Sequence, residues 1–341
     1  MSNQPIILIV TVTDVETQAV ITAFERATGV QREYQSIGDH SIENLLYANL
    51  GTIDNVRFFL TRSEMGSSGV GGSQETVNKG ISALSPIAVI MVGIAFGLDE
   101  NKQSIGDVLV AKQVLLYGLQ KVSLQGDGQE QIYLRGDKVH STPWLINRFN
   151  HASLSFKNAK VKFGLMIADD KLVDSIERRD QLLISEPEAI GGEMEGAGLY
   201  PPCQNNKVDW ILVKSICDWA YNKGEEKESR QLIASNNAAN FLLHALTFAP
   251  LSSNILTNEN HDISRKIDNI EIDPANLVAQ LEKYNNSQLK ETINDLRLNR
   301  NHIHMNGTNY EIICDIIQIL ETKEGGLAQL ENHLKKKMML R

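Results

Sequence analysis

The sequence predicts a layered α/β domain with a largely parallel or mixed sheet, followed by a small all-α bundle. Continuous apolar runs rich in β-branched residues, such as residues 6–13 and 87–92, are typical of central strands covered on both faces. These runs alternate with helical patterns up to about residue 250, which favours helices packed on a sheet. After Pro250 the strand signals stop and apolar residues recur at helical spacing, so we place the bundle there.

Length and composition are those of an ordinary soluble globular protein. The chain has 341 residues, enough for two domains, with 42% hydrophobic and 22% charged residues. A net charge of −9 argues against a nucleic-acid partner, and no run reaches the roughly 18 apolar residues of a membrane span. Three widely spaced cysteines without a CxxC motif indicate neither a disulfide framework nor a zinc site. We therefore expect a cytoplasmic protein with no membrane partner, metal or cofactor.

The first predicted strand ends at two acids. Asp14 and Glu16 directly follow residues 6–13 and precede a predicted helix over residues 17–27. A carboxylate at the carboxyl end of a strand points into the crevice where open α/β sheets bind ligands. Acids also suit the first turn of a helix. The residues alone therefore leave open whether these acids bind a ligand or cap the helix.

A predicted hairpin, over residues 45–50 and 56–60, leads into a glycine-rich loop. Residues 61–73 contain four glycines and several hydroxyl residues ahead of a predicted helix over residues 74–84. Such a loop can bring backbone N–H groups to an anion. It is neither a Walker loop nor a GxGxxG motif, so a flexible turn and a phosphate or ribose cradle both remain open. Arg57 and Arg62 are candidate anion partners.

The later strands supply three more acids. The strand over residues 87–92 ends in small residues that let a ligand approach the backbone, and further strands are predicted at residues 106–110 and 161–168. The run at residues 210–217 ends on Asp218 and is followed by a predicted helix over residues 229–246. Glu193 and Glu195 stand just ahead of another helix. Acids in these places can hold a polyhydroxyl compound and protonate it.

Taken in order, these motifs resemble those of the purine nucleoside phosphorylase and methylthioadenosine nucleosidase superfamily over residues 1–250. The matching segments are residues 14–16, 65–72, 92–98, 106–110, 192–197 and 215–218. The resemblance implies a three-layer α/β/α sandwich around a mixed sheet and a homo-oligomer. It also implies cleavage of the N-glycosidic bond of a purine nucleoside or nucleotide.

The resemblance assigns roles position by position. Asp218 matches the general acid that protonates purine N7, and Glu16 matches the carboxylate that activates the attacking water. Glu195 and Met194 match the pair that holds the ribose. The other predicted substrate contacts are Glu193, Gly66, Ile94, Ala95, Phe96, Leu172, Val173, Trp219 and Arg62. Ile94 stands where the nucleosidases have Ser, and Lys214 and Trp219 are further departures, which leaves the substrate open.

Hydrolysis is the expected reaction, because Glu16 on the nucleophile side would repel a phosphate dianion. Two alternatives remain open at this point. One is a phosphorylase that uses inorganic phosphate, and the other is a catalytically silent sensor of purine nucleotides.

The C-terminal bundle is predicted over residues 271–341, after a polar linker over residues 251–270. It resembles an effector-associated domain, a death-fold-like adaptor of bacterial conflict systems, chiefly at Gly325-Gly326-Leu327 and Leu330. The resemblance implies a protein partner and an antiviral defence role. His302 and His304 lack the carboxylate or cysteine pattern of a metal site.

Overall fold

The chain divides into two compact units, Met1–Ile255 and Leu256–Arg341, in a computed structural model. The structure describes residues 4–31, 33–36, 45–124, 130–170, 175–221, 224, 226–251, 274–296, 298–299, 303–305, 307–321 and 326–339. Among the helices of these ranges, none combines the length and the apolar character needed to cross a bilayer.

Ten of the described strands form one mixed sheet in the first unit, and two form a separate antiparallel pair, β7 and β8. The order in the large sheet is β11-β10-β6-β12-β5-β1-β4-β3-β2, with β9 paired to β6. The strands are β1 (Ile6–Thr11), β2 (Glu33–Ser36), β3 (Leu46–Ile53), β4 (Val56–Arg62), β5 (Ala88–Phe96), β6 (Val108–Leu116), β7 (Gln120–Leu124), β8 (Glu130–Leu134), β9 (Lys138–His140), β10 (Val161–Ala168), β11 (Ala189–Glu193) and β12 (Asp209–Asp218).

Helices cover both faces of this sheet. In β1, Ile7 and Ile9 belong to the apolar cluster that includes α1, α3 and α6, while Leu8 and Val10 belong to the cluster that includes α2 and α5. The alternation follows from the period-2 geometry of a strand. The first unit is therefore the predicted three-layer α/β/α sandwich. Its helices are α1 (Asp14–Thr28), α2 (Ser73–Leu84), α3 (Pro143–Ser153), α4 (Ile176–Ser185), α5 (Gly196–Asn205) and α6 (Lys227–Thr247).

Five strands of the sheet close on themselves. The path β5-β12-β6-β10-β11 returns to β5 through one antiparallel bridge, Gly192 to Phe96. Glycine is required at this bridge, because a Cβ on Gly192 would lie 2.2 Å from the Phe96 ring. The closure brings the end of β11 beside the ends of β5 and β12, so Glu193 and Asp218 lie in one region of the sheet.

The second unit is an all-α bundle in its described part. Each helix contributes aliphatic side chains to one apolar cluster, for example Leu277, Leu289, Ile316 and Leu330. This agrees with the apolar faces that the sequence indicates. The helices are α7 (Pro274–Leu281), α8 (Asn286–Asp295), α9 (Asn309–Glu321) and α10 (Gly326–Met339).

The sequence predicts the long buried strands and the central helices well, and it misses the short or polar elements. The strand at residues 161–168 has its predicted bounds, and the predicted helix over residues 17–27 begins earlier, at Asp14. The structure adds elements that the sequence pattern does not indicate, namely α3, α4, β2, β7, β8, β9 and β11.

Candidate active site

A cavity of about 170 Å³ lies where the carboxyl ends of β1, β5, β11 and β12 meet. Its wall also includes residues from the first turns of α1 and α6. This is the crevice in which α/β sheets commonly bind ligands. The cavity is lined by Val12, Thr13, Glu16, Met65, Ile94, Ala95, Phe96, Gly192, Glu193, Met194, Glu195, Cys217, Asp218, Lys227 and Gln231.

A larger groove of about 870 Å³ lies along α1, β3, β4 and α6, but fewer ionisable side chains line it than line the smaller cavity. Its lining contains two charged residues, Asp14 and Arg62, and these form an ion pair with each other. The smaller cavity has four carboxylates in its wall. We therefore take the smaller cavity as the candidate active site.

Glu16 is held by three backbone N–H groups. Its Oε2 accepts hydrogen bonds from Val12 N at 2.9 Å and Thr13 N at 2.7 Å, and its Oε1 accepts one from Ile94 N at 2.7 Å. The Thr13 contact completes a capping box at the start of α1. Glu16 therefore does cap the helix, and it also bridges to the end of β5. Each carboxylate oxygen has further acceptor capacity, which a water molecule in the cavity can use.

Asp14, the other acid of this segment, lies outside the cavity. Its carboxylate pairs with Arg62, and Arg62 Nε also donates to the carbonyl oxygen of Val12 at 2.6 Å. Arg62 lines the larger groove and is not brought to the candidate site. The exposure of both side chains allows them to pair at the surface instead.

Glu193 and Glu195 meet a buried cation, Lys214. The Nζ atom of Lys214 lies 3.1 Å from Glu195 Oε2 and 3.3 Å from Glu193 Oε2, and its side chain is fully buried in β12. Glu193 also accepts hydrogen bonds from Glu195 N at 3.0 Å and Gly196 N at 2.9 Å, at the start of α5. A helix N-terminus favours a carboxylate in this position. The contacts fix both acids against the cavity wall.

Lys214 stays charged in this cluster. Burial alone would lower the pKa of its ammonium group, but the carboxylates of Glu195, Glu193 and Glu16 outweigh burial and raise that pKa above its ordinary value. Burial raises the pKa of Glu193, and Lys214 offsets only part of this effect because Glu195 acts in the opposite direction. One cation thus interacts with three acids.

Gly93 makes room for this arrangement on β5. A Cβ at Gly93 would lie 2.2 Å from Glu16 Oε1 and 3.2 Å from Lys214 Nζ. Any side chain there would push the Glu16 carboxylate away from Ile94 N. Glycine at position 93 therefore lets the Glu16 carboxylate reach the β5 backbone.

Asp218 is the last residue of β12, lines the cavity and is half-buried. Its Oδ1 accepts a hydrogen bond from Ala220 N at 2.8 Å, and the Cys217 thiol donates to its Oδ2 at 3.4 Å. Ala220 has φ 63°, in the left-handed region that an alanine rarely adopts. The turn that orients Asp218 is thus locally strained, which is common beside functional groups.

The glycine-rich loop is closed by an acid of the protein. Asp170 accepts hydrogen bonds from Ser67 N at 2.7 Å and from the hydroxyls of Ser67 and Ser68. Gly66, with φ 90°, directs its N–H toward Glu195 Oε1 at 3.5 Å. The loop therefore braces the wall of the cavity through Glu195, and Met65 is its lining residue.

The structure brings most, but not all, of the predicted residues together. Glu16, Asp218, and the two segments 94–96 and 193–195 surround one cavity. Trp219 packs over Gly97, where a Cβ would lie 2.4 Å from its ring, and is absent from the cavity lining. Leu172 and Val173 lie outside the described residues.

Seven of the lining residues are not among the predicted site residues, and two of these are polar residues of α6. Lys227 and Gln231 stand one turn apart at the start of α6. Sequence reasoning follows the ends of strands, and nothing in the local pattern shows that this helix face turns toward the strand ends. The i, i+4 spacing of the two polar residues is the one signal available.

Comparison with known proteins gives a consistent result. A family model described as the phosphorylase superfamily matches residues 7–247. Among curated relatives, a death domain-containing ATP nucleosidase of Amphimedon queenslandica is 30% identical over 193 residues, which is 51% of this chain and 36% of that protein. The match thus spans about a third of the length of the sponge protein.

Two further comparisons cover the first unit more fully. A 5′-methylthioadenosine/S-adenosylhomocysteine nucleosidase of Staphylococcus epidermidis is 26% identical over 226 residues, covering 65% of this chain and 96% of that protein. The solved structure of futalosine hydrolase from Helicobacter pylori superposes with a TM-score of 0.58 at 23% identity, covering 72% of this chain and 99% of the hydrolase. This likeness shows a shared fold.

Proposed function

Since the chain belongs to the phosphorylase superfamily, we propose that it hydrolyses the N-glycosidic bond of a purine nucleoside or nucleotide and releases the base. The observation that carries this assignment is the meeting of Glu16, Glu195 and Asp218 around one cavity at the strand ends. The relatives that bear nucleosidase names support it.

Each acid has a role that suits its position. Cleavage of a glycosidic bond builds oxocarbenium character on the sugar while the departing base gains electrons. Asp218 donates a proton to N7 of the purine, so that a neutral base leaves. General acid catalysis of this kind contributes roughly 10²–10⁴-fold, about 3–5 kcal/mol of barrier.

The sugar and the nucleophile are handled by the other two acids. Glu195, held by Lys214, accepts hydrogen bonds from the ribose hydroxyls and fixes the ring above Met194. Glu16, held by Val12, Thr13 and Ile94, positions a water molecule and takes its proton as the water attacks the anomeric carbon. The three N–H donors prevent Glu16 from turning away during attack.

The charge of the wall favours water over phosphate as the nucleophile. Four carboxylates line the cavity, and Lys214 is already shared by Glu193 and Glu195. A phosphate dianion beside Glu16 would be repelled. We therefore prefer hydrolysis to the phosphorylase alternative, and the intact set of acids argues against a silent sensor.

The test is release of base from adenosine, inosine, methylthioadenosine, AMP, ATP and NAD, each with and without phosphate. We expect release without phosphate and a loss of at least about 10²-fold in Asp218→Asn, because Asn cannot donate the proton. A matched control is Asp209→Asn, at the other end of the same strand.

Full activity of Asp218→Asn would refute the role of the acid, and release only with phosphate would make the protein a phosphorylase. No release from any compound by the native protein would favour the sensor.

We also propose that the helical unit recruits the enzyme as a defence effector through a protein partner. Support comes from the death-fold-like resemblance of its sequence. The sponge relative, whose name joins a death domain to an ATP nucleosidase, is a precedent for this pairing of domains.

A further inference from the structure

The first turns of α6 present a cation and an amide to the cavity that the hydrolysis of a plain nucleoside does not use. Lys227 and Gln231 both line the cavity, and their i, i+4 spacing places them on one face of the helix. Neither side chain has a hydrogen bond or an ion pair with any residue that the structure describes. Lys227 is exposed and Gln231 is half-buried, so the cation lies nearer the solvent.

Another cation at the start of α6 does have a partner among the described residues. Arg230, three residues after Lys227, forms an ion pair with Glu226 at 2.7 Å. It is not among the residues that line the cavity. Of the lining residues, Lys227 is the one with a positive charge, against four carboxylates deeper in the wall. Among the lining residues, Lys227 is therefore the side chain that can pair with a ligand anion.

The roles of the acids in the wall indicate which part of a nucleoside reaches Lys227. Glu195 stands directly before α5, which packs on one face of the sheet, whereas Lys227 starts α6, which packs on the other face. In a β-ribonucleoside the 2′- and 3′-hydroxyls lie on one face of the ring, and C5′ and the base lie on the other face. With the hydroxyls on Glu195 and the base on Asp218, the 5′ substituent is the part of a nucleotide that remains for the opening of the cavity beside Lys227.

We propose that Lys227, assisted by Gln231, binds a 5′-phosphate, so that the preferred substrate is a purine nucleoside 5′-phosphate. This inference rests on the proposed function of the site. The Gln231 amide donates to a phosphate oxygen, and the Lys227 ammonium supplies the charge-assisted hydrogen bond.

The other candidate anion partners are less suitable. Arg62 is paired with Asp14 outside the cavity. Arg57 pairs in register with Ile6, at the amino end of β1, and its guanidinium stacks 4.8 Å above the Phe59 ring. In the glycine-rich loop, the Ser67 N–H already donates to Asp170. The phosphate contact therefore belongs to α6 and not to the loop.

The experiment compares kcat/KM for AMP and adenosine, and for IMP and inosine, in the native protein and in Lys227→Gln. We expect the ratio of nucleotide to nucleoside to fall by about 10-fold or more, because a hydrogen bond to a charged group is lost. Lys227→Arg should restore most of the ratio. Arg230→Gln removes an equal charge from the same turn, outside the cavity, and should leave the ratio as it is.

Each result decides the matter. An unchanged ratio in Lys227→Gln, or an equal fall in Arg230→Gln, would overturn the role of Lys227. Release of base from nucleosides but not from nucleotides by the native protein would overturn this inference and leave the proposed hydrolase intact. No release from either class would remove the proposed function itself, and with it this inference.

Discussion

Among single residues, Lys214 has the greatest influence on the site. It is fully buried and lies within 3.1–3.3 Å of two glutamate oxygens, with Glu16 close by. Removing one partner of a buried ion pair leaves uncompensated charge, which costs more than the pair itself contributes. Lys214 therefore works as a positioning residue that allows three acids to share one wall.

Replacing this lysine should change stability and its pH dependence together. We expect Lys214→Met to destabilise the first unit by about 3–5 kcal/mol, measured by urea unfolding. Lys112→Met, on an exposed lysine of β6, is the matched control.

The pKa values of Lys214 and Glu193 are both raised, and this determines how stability changes with pH. The raised pKa of Lys214 gives stability that is complete below the ordinary lysine pKa of about 10.4 and is lost only at higher pH. Without the lysine, the pKa of Glu193 rises further. A carboxyl group with a raised pKa leaves folding stability intact below the ordinary carboxyl pKa of about 4.3. That stability is lost as pH rises and the buried group must ionise. The variant should thus lose much more stability than the native protein between pH 5 and pH 8. Equal losses would contradict this account.

Among helices and strands, β1, α1 and β5 meet at a junction that one carboxylate holds together. Glu16 closes the capping box of α1 and reaches Ile94 at the end of β5, and Gly93 leaves the space for it. In the proposed mechanism, the start of α1 and the attack of water thus depend on the same carboxylate.

A methyl group at Gly93 should lower stability moderately and base release strongly, because it displaces the Glu16 carboxylate. We expect Gly93→Ala to cost about 1–3 kcal/mol of stability, the range for disturbed buried hydrogen bonds. Base release should fall by at least about 10²-fold, because Glu16 no longer holds its water in place. Thermal unfolding and base release measure the two effects.

Gly69→Ala is the control, since a Cβ there meets nothing within 4 Å. A variant at Gly93 with native activity would show that the position of Glu16 is not critical for water attack.

The sequence predicts these junctions only in part. Apolar β-branched runs identify β1, β5, β10 and β12 because strands covered on both faces need continuous apolar residues. Short, polar or edge elements such as β9 and α4 have no such requirement and were missed. Strand ends located Glu16 and Asp218, but the ion pair of Arg62 with Asp14 depends on surface geometry that spacing does not encode. The same holds for the α6 face that carries Lys227.

At the scale of the whole molecule, the described residues of each unit form apolar clusters of their own. The clusters of the first unit use residues up to Leu251, and the cluster of the helical unit uses residues from Leu277 onward. Each unit therefore has its own source of stability.

A charge inside the helical unit should unfold that unit and spare the catalysis. We expect Ile316→Asp to abolish the folded bundle, because Ile316 is fully buried and an unpaired carboxylate cannot be accommodated there. Circular dichroism should show loss of helix, while base release stays within about 2-fold of the native rate. Gln318→Asp, at an exposed position of the same helix, is the control. Loss of base release together with the bundle would show that the catalytic unit depends on the helical one.

The closed path of five strands makes substitutions within it different in effect from substitutions outside it. The acids at the ends of β11 and β12, and the β5 backbone that meets them, are tied together through the bridge from Gly192 to Phe96, so a substitution that shifts one strand disturbs the others. Lys227 and Gln231 lie on a helix outside that path. If the proposed roles hold, side chains on the first turns of α6 can be exchanged to change the substrate preference while the acids that break the bond keep their positions.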